Sequence, residues 1–252
     1  MTTTKTYAFG TGSVIALAAG KPPTKVGTLQ DIEIDISADT AMLYGQNQFP
    51  VAIGRGKGKI EGKAKTGTID INLFNNLFQQ GTIDETGYLK LIENEAQSVP
   101  GSSTYTIQVT NHTNFDADMG VYYADSGVQL LPVAASSEDT GKYSVNTATG
   151  TYTFDSTDAS EDLLMSYTYK ANTGQEVTIA NNLMGDQPVF QLFLQEGFND
   201  FGSRRNFTLK LNRCVSSKLT FPFKNTDFSI SDFDFSCFAD SLGNIGTFGV
   251  GT

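Results

Sequence analysis

Side chains able to do covalent or acid–base chemistry are few and scattered. One histidine, His112, stands among 252 residues, so neither a His-rich metal site nor a histidine-based catalytic pair is easily assembled. Two cysteines, Cys214 and Cys237, are too few for a secreted disulfide scaffold. They read as reduced, partly buried thiols or, alternatively, as a structural or inter-subunit disulfide. Gly54-Arg-Gly-Lys-Gly-Lys59 carries glycine and lysine but runs into a strand pattern and lacks the Walker arrangement that cradles phosphate. Asp155, Asp158, Glu161 and Asp162 form an acidic loop without the spacing or the glycine of an EF-hand. No catalytic, cofactor-binding or metal-ligating residue is therefore assigned, and the chain is expected not to be an enzyme.

What the sequence does place at regular spacing is charge. Asp31, Glu33 and Asp35 alternate with Ile32, Ile34 and Ile36, so a strand here has a carboxylate face and an isoleucine face. Lys57, Lys59, Glu61, Lys63 and Lys65 alternate with Gly58, Ile60, Gly62, Ala64 and Thr66. The uncharged face of that second strand is small enough to admit another backbone or sheet. If the two strands pair, carboxylates stand opposite lysines, and each exposed pair is worth roughly 0.2–1 kcal/mol. For any single residue two solvated strand faces are an equally good reading, but so long an alternation specifies a register. Near the C-terminus Asp232 and Asp234 alternate with Phe233, Phe235 and Cys237 in a stretch from Phe228 to Phe238, whose aromatic face requires a partner layer.

The elements that position these rows follow from composition and turn chemistry. Charged residues are 17% of the chain and hydrophobic ones 39%, with 25 Gly, 18 Phe, 10 Tyr and no Trp; this balance predicts short strands and tight turns. A strand starts at Val26. Small and polar residues fill Ser37 to Gln48 as a loop ending at Phe49-Pro50, and strand-like residues resume at Val51. Asp70 is placed to cap a short helix whose Leu73, Phe74, Leu77 and Phe78 recur at helical spacing before Gly81. That apolar helix is expected to cover a sheet face or a barrel end.

From Gln97 to Val177 the texture changes. Val99-Pro100-Gly101-Ser102-Ser103 resembles a linker, and short strands follow at Tyr105–Val109, Met119–Tyr123, Gly141–Val145, Thr151–Phe154 and Leu163–Tyr169. Residues 98–177 are expected to form a small inserted sandwich, and residues 1–97 and 178–252 one main β domain. Further strands are predicted at Val189–Leu194, Asn206–Leu211, Lys218–Phe223 and Phe228–Phe238, with Leu242–Thr252 a loose end or an interface arm.

Seventeen basic against twenty-seven acidic residues give a net charge of −10, which argues against gripping nucleic acid by counterion release. Met1 to Lys5 has no basic-then-apolar leader, and no apolar run approaches the ~20 residues of a membrane span. A soluble protein made in a cytoplasm is expected, with no membrane partner.

Two stretches carry a family resemblance. One runs from Val26 to Phe78 through Phe49-Pro-Val-Ala and Gly54-Arg-Gly-Lys-Gly-Lys-Ile-Glu-Gly-Lys-Ala64. The other joins Gly141-Lys-Tyr-Ser-Val, Gly150-Thr-Tyr-Thr-Phe, Met165-Ser-Tyr-Thr-Tyr, Leu219-Thr-Phe-Pro-Phe-Lys and Phe228 to Phe238. Their order resembles that of tail tube (major tail) proteins of tailed bacteriophages. The resemblance implies a β-sandwich or half-barrel with one flanking helix and an inserted, Ig-like β domain on the tube exterior. It also implies hexameric rings that stack into a tube, their inner strands sharing one barrel around a channel that conducts DNA without specific binding. Such a chain is at home in the virion tail, is assembled in the bacterial host cytoplasm, and meets copies of itself, a tail sheath, a tail terminator and baseplate proteins.

Asp31, Glu33 and Asp35, then Asp232 and Asp234, become candidates for lining the lumen, where negative charge repels phosphate. The row Lys57, Lys59, Glu61, Lys63 and Lys65 becomes an inter-strand or inter-subunit charge row. Met42, Leu43, Tyr44 and Phe49, within the Ser37–Gly54 loop, become the ring-stacking segment. Two other readings stand beside this one. One is a virion-decoration or cell-surface binding module that stacks ligands on Tyr122, Tyr123, Tyr143, Tyr152, Tyr167 and Tyr169. The other is the tube of a tailocin or a secretion apparatus.

Overall fold

The computed structural model describes residues 10–79, 81–200 and 203–251. Strand accounts for 54% and helix for 6%, so the chain is mainly β. It divides into two compact units, residues 1–83 with 177–252, and residues 84–176.

In β1 (Ser13–Ala18) the alternation is direct: Val14, Ala16 and Ala18 are buried while Ile15 and Leu17 face outward. The short β2 (Thr24–Lys25) precedes β3 (Leu29–Tyr44) and β4 (Pro50–Thr66), which pair along their whole length as one antiparallel hairpin. The expected loop from Ser37 to Gly54 is therefore mostly strand, and the turn shrinks to residues 45–49. Small and polar side chains in that stretch mimic a loop in sequence, yet each strand satisfies the other's backbone.

The cap forms as expected. Asp70 Oδ1 accepts from the backbone N–H of Asn72 at 2.8 Å and of Leu73 at 3.5 Å. The helix α1 (Ile71–Phe74) is one α-turn that passes into a π-helical turn at Asn75–Gln79, with Leu73 and Leu77 in the core. Asn75 and Asn76 are buried beside them. Asn76 Nδ2 donates to Thr24 Oγ1 at 2.8 Å, and Asn75 Nδ2 to the Gly81 carbonyl at 2.9 Å.

The chain leaves the first unit through β5 (Ile83–Asp84). It then forms β6 (Tyr88–Ser98), β7 (Thr106–Gln108), β8 (Phe115–Tyr123), β9 (Leu131–Pro132), β10 (Lys142–Asn146), β11 (Thr151–Phe154) and β12 (Asp162–Ala171), and returns through β13 (Glu176–Val177), which pairs with β5. The second unit thus begins at Asp84 and not at Ser98. The reason is β6, which pairs with β12 from Tyr88 to Ser98, while Val99 of the linker-like stretch lies in the core.

Two sheets, ordered β6-β12-β8 and β7-β11-β10-β9, contribute to that core. Tyr143, Tyr152 and Tyr167 are buried in it, each with its hydroxyl on a carboxylate. Tyr143 and Tyr152 donate to Asp118 at 2.5 and 2.9 Å, and Tyr167 to Glu95 at 2.5 Å. Burial, then the adjacent Asp118, hold the Tyr143 and Tyr152 hydroxyls protonated far above the usual phenol range. The acidic loop is likewise engaged: Asp155 caps Thr157, Asp158 receives Tyr123 and Gly141, and Asp162 receives the Ser98 hydroxyl.

In the first unit the remaining strands are β14 (Phe190–Asp200), β15 (Ser203–Thr220), β16 (Ser231–Cys237) and β17 (Gly246–Gly251). The sheet order is β2-β1-β14-β15-β16-β4-β3, all antiparallel. β15 is long enough to hold β17 along Asn206–Leu211 and β16 along Cys214–Thr220. The Gly-rich tail expected as a loose end or arm is thus a sheet strand over Gly246–Gly251; Thr252 lies outside the described residues. Phe190, Leu192, Leu211, Phe233 and Phe235 centre the core.

Candidate assembly surface

Three neighbouring strands bring the predicted charge rows onto one face. Asp31 stands opposite Lys65 and Glu33 opposite Lys63; across the other edge of β4, Lys65 faces Asp232 and Lys63 faces Asp234. Residues paired directly across an antiparallel ladder share a face, so carboxylates of β3 and β16 flank the lysines of β4. Lys65 Nζ lies 2.9 Å from Asp31 Oδ2, Lys63 Nζ 2.7 Å from Asp232 Oδ2, and Lys59 Nζ 2.9 Å from Glu61 Oε2. The hydrogen bond from Lys63, helped by Thr220, holds the Asp232 carboxyl below the usual range, and the same bond raises Lys63. Lys59 is raised by Glu61. Asp35 faces Glu61 in the next register position, so the acidic residues are not all neutralised by a cross-strand lysine. Lys218 faces Asp234 from β15. The face is a mixed lattice of both signs, with a shallow groove of about 360 Å³ bordered by Glu33, Asp35, Glu61, Lys63 and Asp234.

The opposite face of the same strands is apolar and tight. Ile32 and Ile34 pack on the core opposite Ala64 and Gly62. Phe235 lies over Gly62, where an added Cβ would overlap its ring and sit 2.9 Å from the Glu33 carbonyl oxygen. The small residue expected to admit a close approach admits an aromatic ring of the same sheet.

From Asp39 to Tyr44 and from Val51 to Lys59 the hairpin is exposed on both faces. Met42, Leu43, Tyr44 and Phe49 lie at its tip; Leu43 is 63% exposed and Phe49 80%. Val51 and Ile53, exposed on the returning strand, complete this apolar tip, with Ile53 opposite Met42. Sequence reasoning marked Val51 as strand but not as part of the patch. Lys57 sits where the ladder shifts register, between the Ala38–Gly58 and Thr40–Arg55 pairs. At the other end of the same strands, the loop joining β15 to β16 follows Thr220 and re-enters at Ser231, opposite Thr66. It exposes Phe223 and Phe228, at 85% and 86%, a second apolar patch that the strand expectation for Lys218–Phe223 had concealed.

Besides β17, which pairs only with β15, two edges of the sheet are open among the described residues. β3 ends the sheet order along sixteen residues, and at the far side β2 pairs with only Ile15 and Ala16 of β1. No group of three or more His, Cys, Asp or Glu among the described residues is arranged to hold a metal ion, and no helix among them is long and apolar enough to cross a membrane. No protein-family model matches this sequence, and no curated protein matches it.

Proposed function

We infer that this chain is the structural subunit of a tail tube. The observation that carries the reading is the β3–β4 hairpin, which is at once the long open edge of the main sheet and an apolar projection. A sixteen-residue edge strand, even with register shifts in its ladder to β4, is a template for another strand, and joining it to the β1–β2 edge of a neighbouring copy closes sheets into a ring-shaped barrel. A two-stranded ribbon is marginal alone in water, so its apolar tip calls for cover. The Phe223–Phe228 loop at the opposite end supplies a surface that differs from the tip, and head-to-tail contacts between unlike surfaces propagate into a stack.

On this reading the first unit is the half-barrel of the tube wall. Copies form hexameric rings that stack around a DNA-conducting channel, the charged face of β3, β4 and β16 lines that channel, and the second unit is an Ig-like sandwich on the exterior. The role is non-catalytic. Its place is the virion tail, built in the host cytoplasm, where sheath, terminator and baseplate proteins are its further partners. A tailocin or secretion tube would use the same contacts. For a glycan-binding module the tyrosines are a poor platform, since Tyr143, Tyr152 and Tyr167 are buried.

Negative-stain microscopy of the purified protein tests the proposal. Rings or long tubes with a central channel are expected, and Leu43→Ser combined with Phe49→Ser should leave a folded protein that no longer forms tubes. A strictly monomeric wild-type chain at high concentration would overturn the reading.

A further inference from the structure

Cys214 on β15 and Cys237 on β16 are directly opposite in the ladder, with their sulfurs 3.3 Å apart. The Phe238 backbone N–H donates to the Arg213 carbonyl at 3.0 Å, one step outside the pair. That bond marks the cysteines as a non-hydrogen-bonded pair, in which Cα atoms stand about 4.5 Å apart and side chains are closest. A disulfide tolerates such a spacing, and bonding requires the sulfurs to approach by little more than ~1 Å. Accessibility is unequal. Cys214 is buried among Phe190, Leu211 and Phe235, whereas Cys237 is only half-buried at the rim of that core.

We propose that Cys237 and Cys214 form a thiol–disulfide exchange site, with Cys237 the attacking thiol and Cys214 the resolving one. The co-reactant is a low-molecular-weight disulfide. The Cys237 thiolate attacks one of its sulfurs, forming a mixed disulfide and expelling one thiolate. Cys214 then gives up its proton and attacks the Cys237 sulfur, forming the cross-strand bond and expelling the second thiolate. Two protein thiols are oxidised, one small disulfide is reduced to two thiols, and the proton count closes. The order of attack follows from access and from the hydrogen bond: Cys214 donating to Cys237 favours the thiolate at Cys237 and, with burial, retains the proton on Cys214. The resulting staple would join β16 to β15 just where the chain turns towards β17, a turn already held by Asn212 Nδ2 donating to Asp240 at 2.9 Å.

The test is oxidation of the full chain with glutathione disulfide, followed by thiol titration and non-reducing peptide mapping. Both thiols should be lost, with a Cys214–Cys237 peptide within one chain and the midpoint of thermal unfolding raised until reductant is added. Cys214→Ala should trap a stable glutathione adduct at Cys237, and Cys237→Ala should leave Cys214 at least tenfold slower to react than Cys237 in the native protein. Disulfide-linked dimers, a persistent adduct on the wild-type chain, or faster reaction at Cys214 would overturn the proposal.

Discussion

Glu95 illustrates how much of the second unit rests on single carboxylates. Burial pushes its pKa up. The Tyr167 hydroxyl, the Gln97 amide and the backbone N–H and hydroxyl of Thr110 more than offset that, so it lies below the ordinary 4.5. A carboxyl depressed on folding contributes stability above its unfolded pKa and loses it as pH falls through the folded one. Stability of the second unit should therefore decline as pH drops below about 4.5. Glu95→Gln should cost about 1.5–3 kcal/mol near neutral pH, the scale of hydrogen bonds to a charged group, and flatten the acid limb of a denaturant-midpoint-against-pH curve. An unchanged acid limb would contradict the assignment. Neither Glu95 nor Asp118 could be singled out from sequence. Each reads as one more surface acid until the fold brings a tyrosine to it from far along the chain.

At the scale of elements, alternation was legible where a strand met the core with one face and carried polar side chains on the other. Asp31 to Ile36 and Asp232 to Cys237 could be assigned to faces because the apolar partners mark the buried side. β1 escaped notice because Ser13–Ala18 is almost uniformly apolar and shows no period, and β17 because its glycines leave little side-chain pattern. The distal hairpin escaped because it buries neither face. Testing the charged face requires neutralisation and not reversal, since a lysine at Asp31 or Glu33 would stand opposite Lys65 or Lys63 and unsettle the hairpin itself. Asp31→Asn, Glu33→Gln and Asp35→Asn together should shift stability by no more than about 1 kcal/mol, as exposed pairs do. In assembled particles they should slow DNA ejection if this face lines the channel. Unchanged ejection kinetics would move the lumen elsewhere.

At the scale of the molecule, two cores and a paired crossing describe one unit inserted into another. Sequence texture announced the insertion but misplaced its start, because the polar outer residues of β6 gave no contrast with what precedes them. Replacing residues 85–175 by a short Gly-Ser turn should leave the first unit folded, checked by circular dichroism and thermal unfolding. In the proposed tube it should leave ring formation intact when imaged. Collapse of the shortened chain would show that the insertion is structural support. The pairing of β5 with β13 has a kinetic corollary. β1 must find β14 across an intervening chain that includes the whole second unit, a loop whose closure entropy would rise by only about 0.6 kcal/mol for each doubling of length. Whenever the second unit folds first, its paired ends turn that long excursion into a short one. The search that joins β1 to β14 then proceeds as though the insertion were absent.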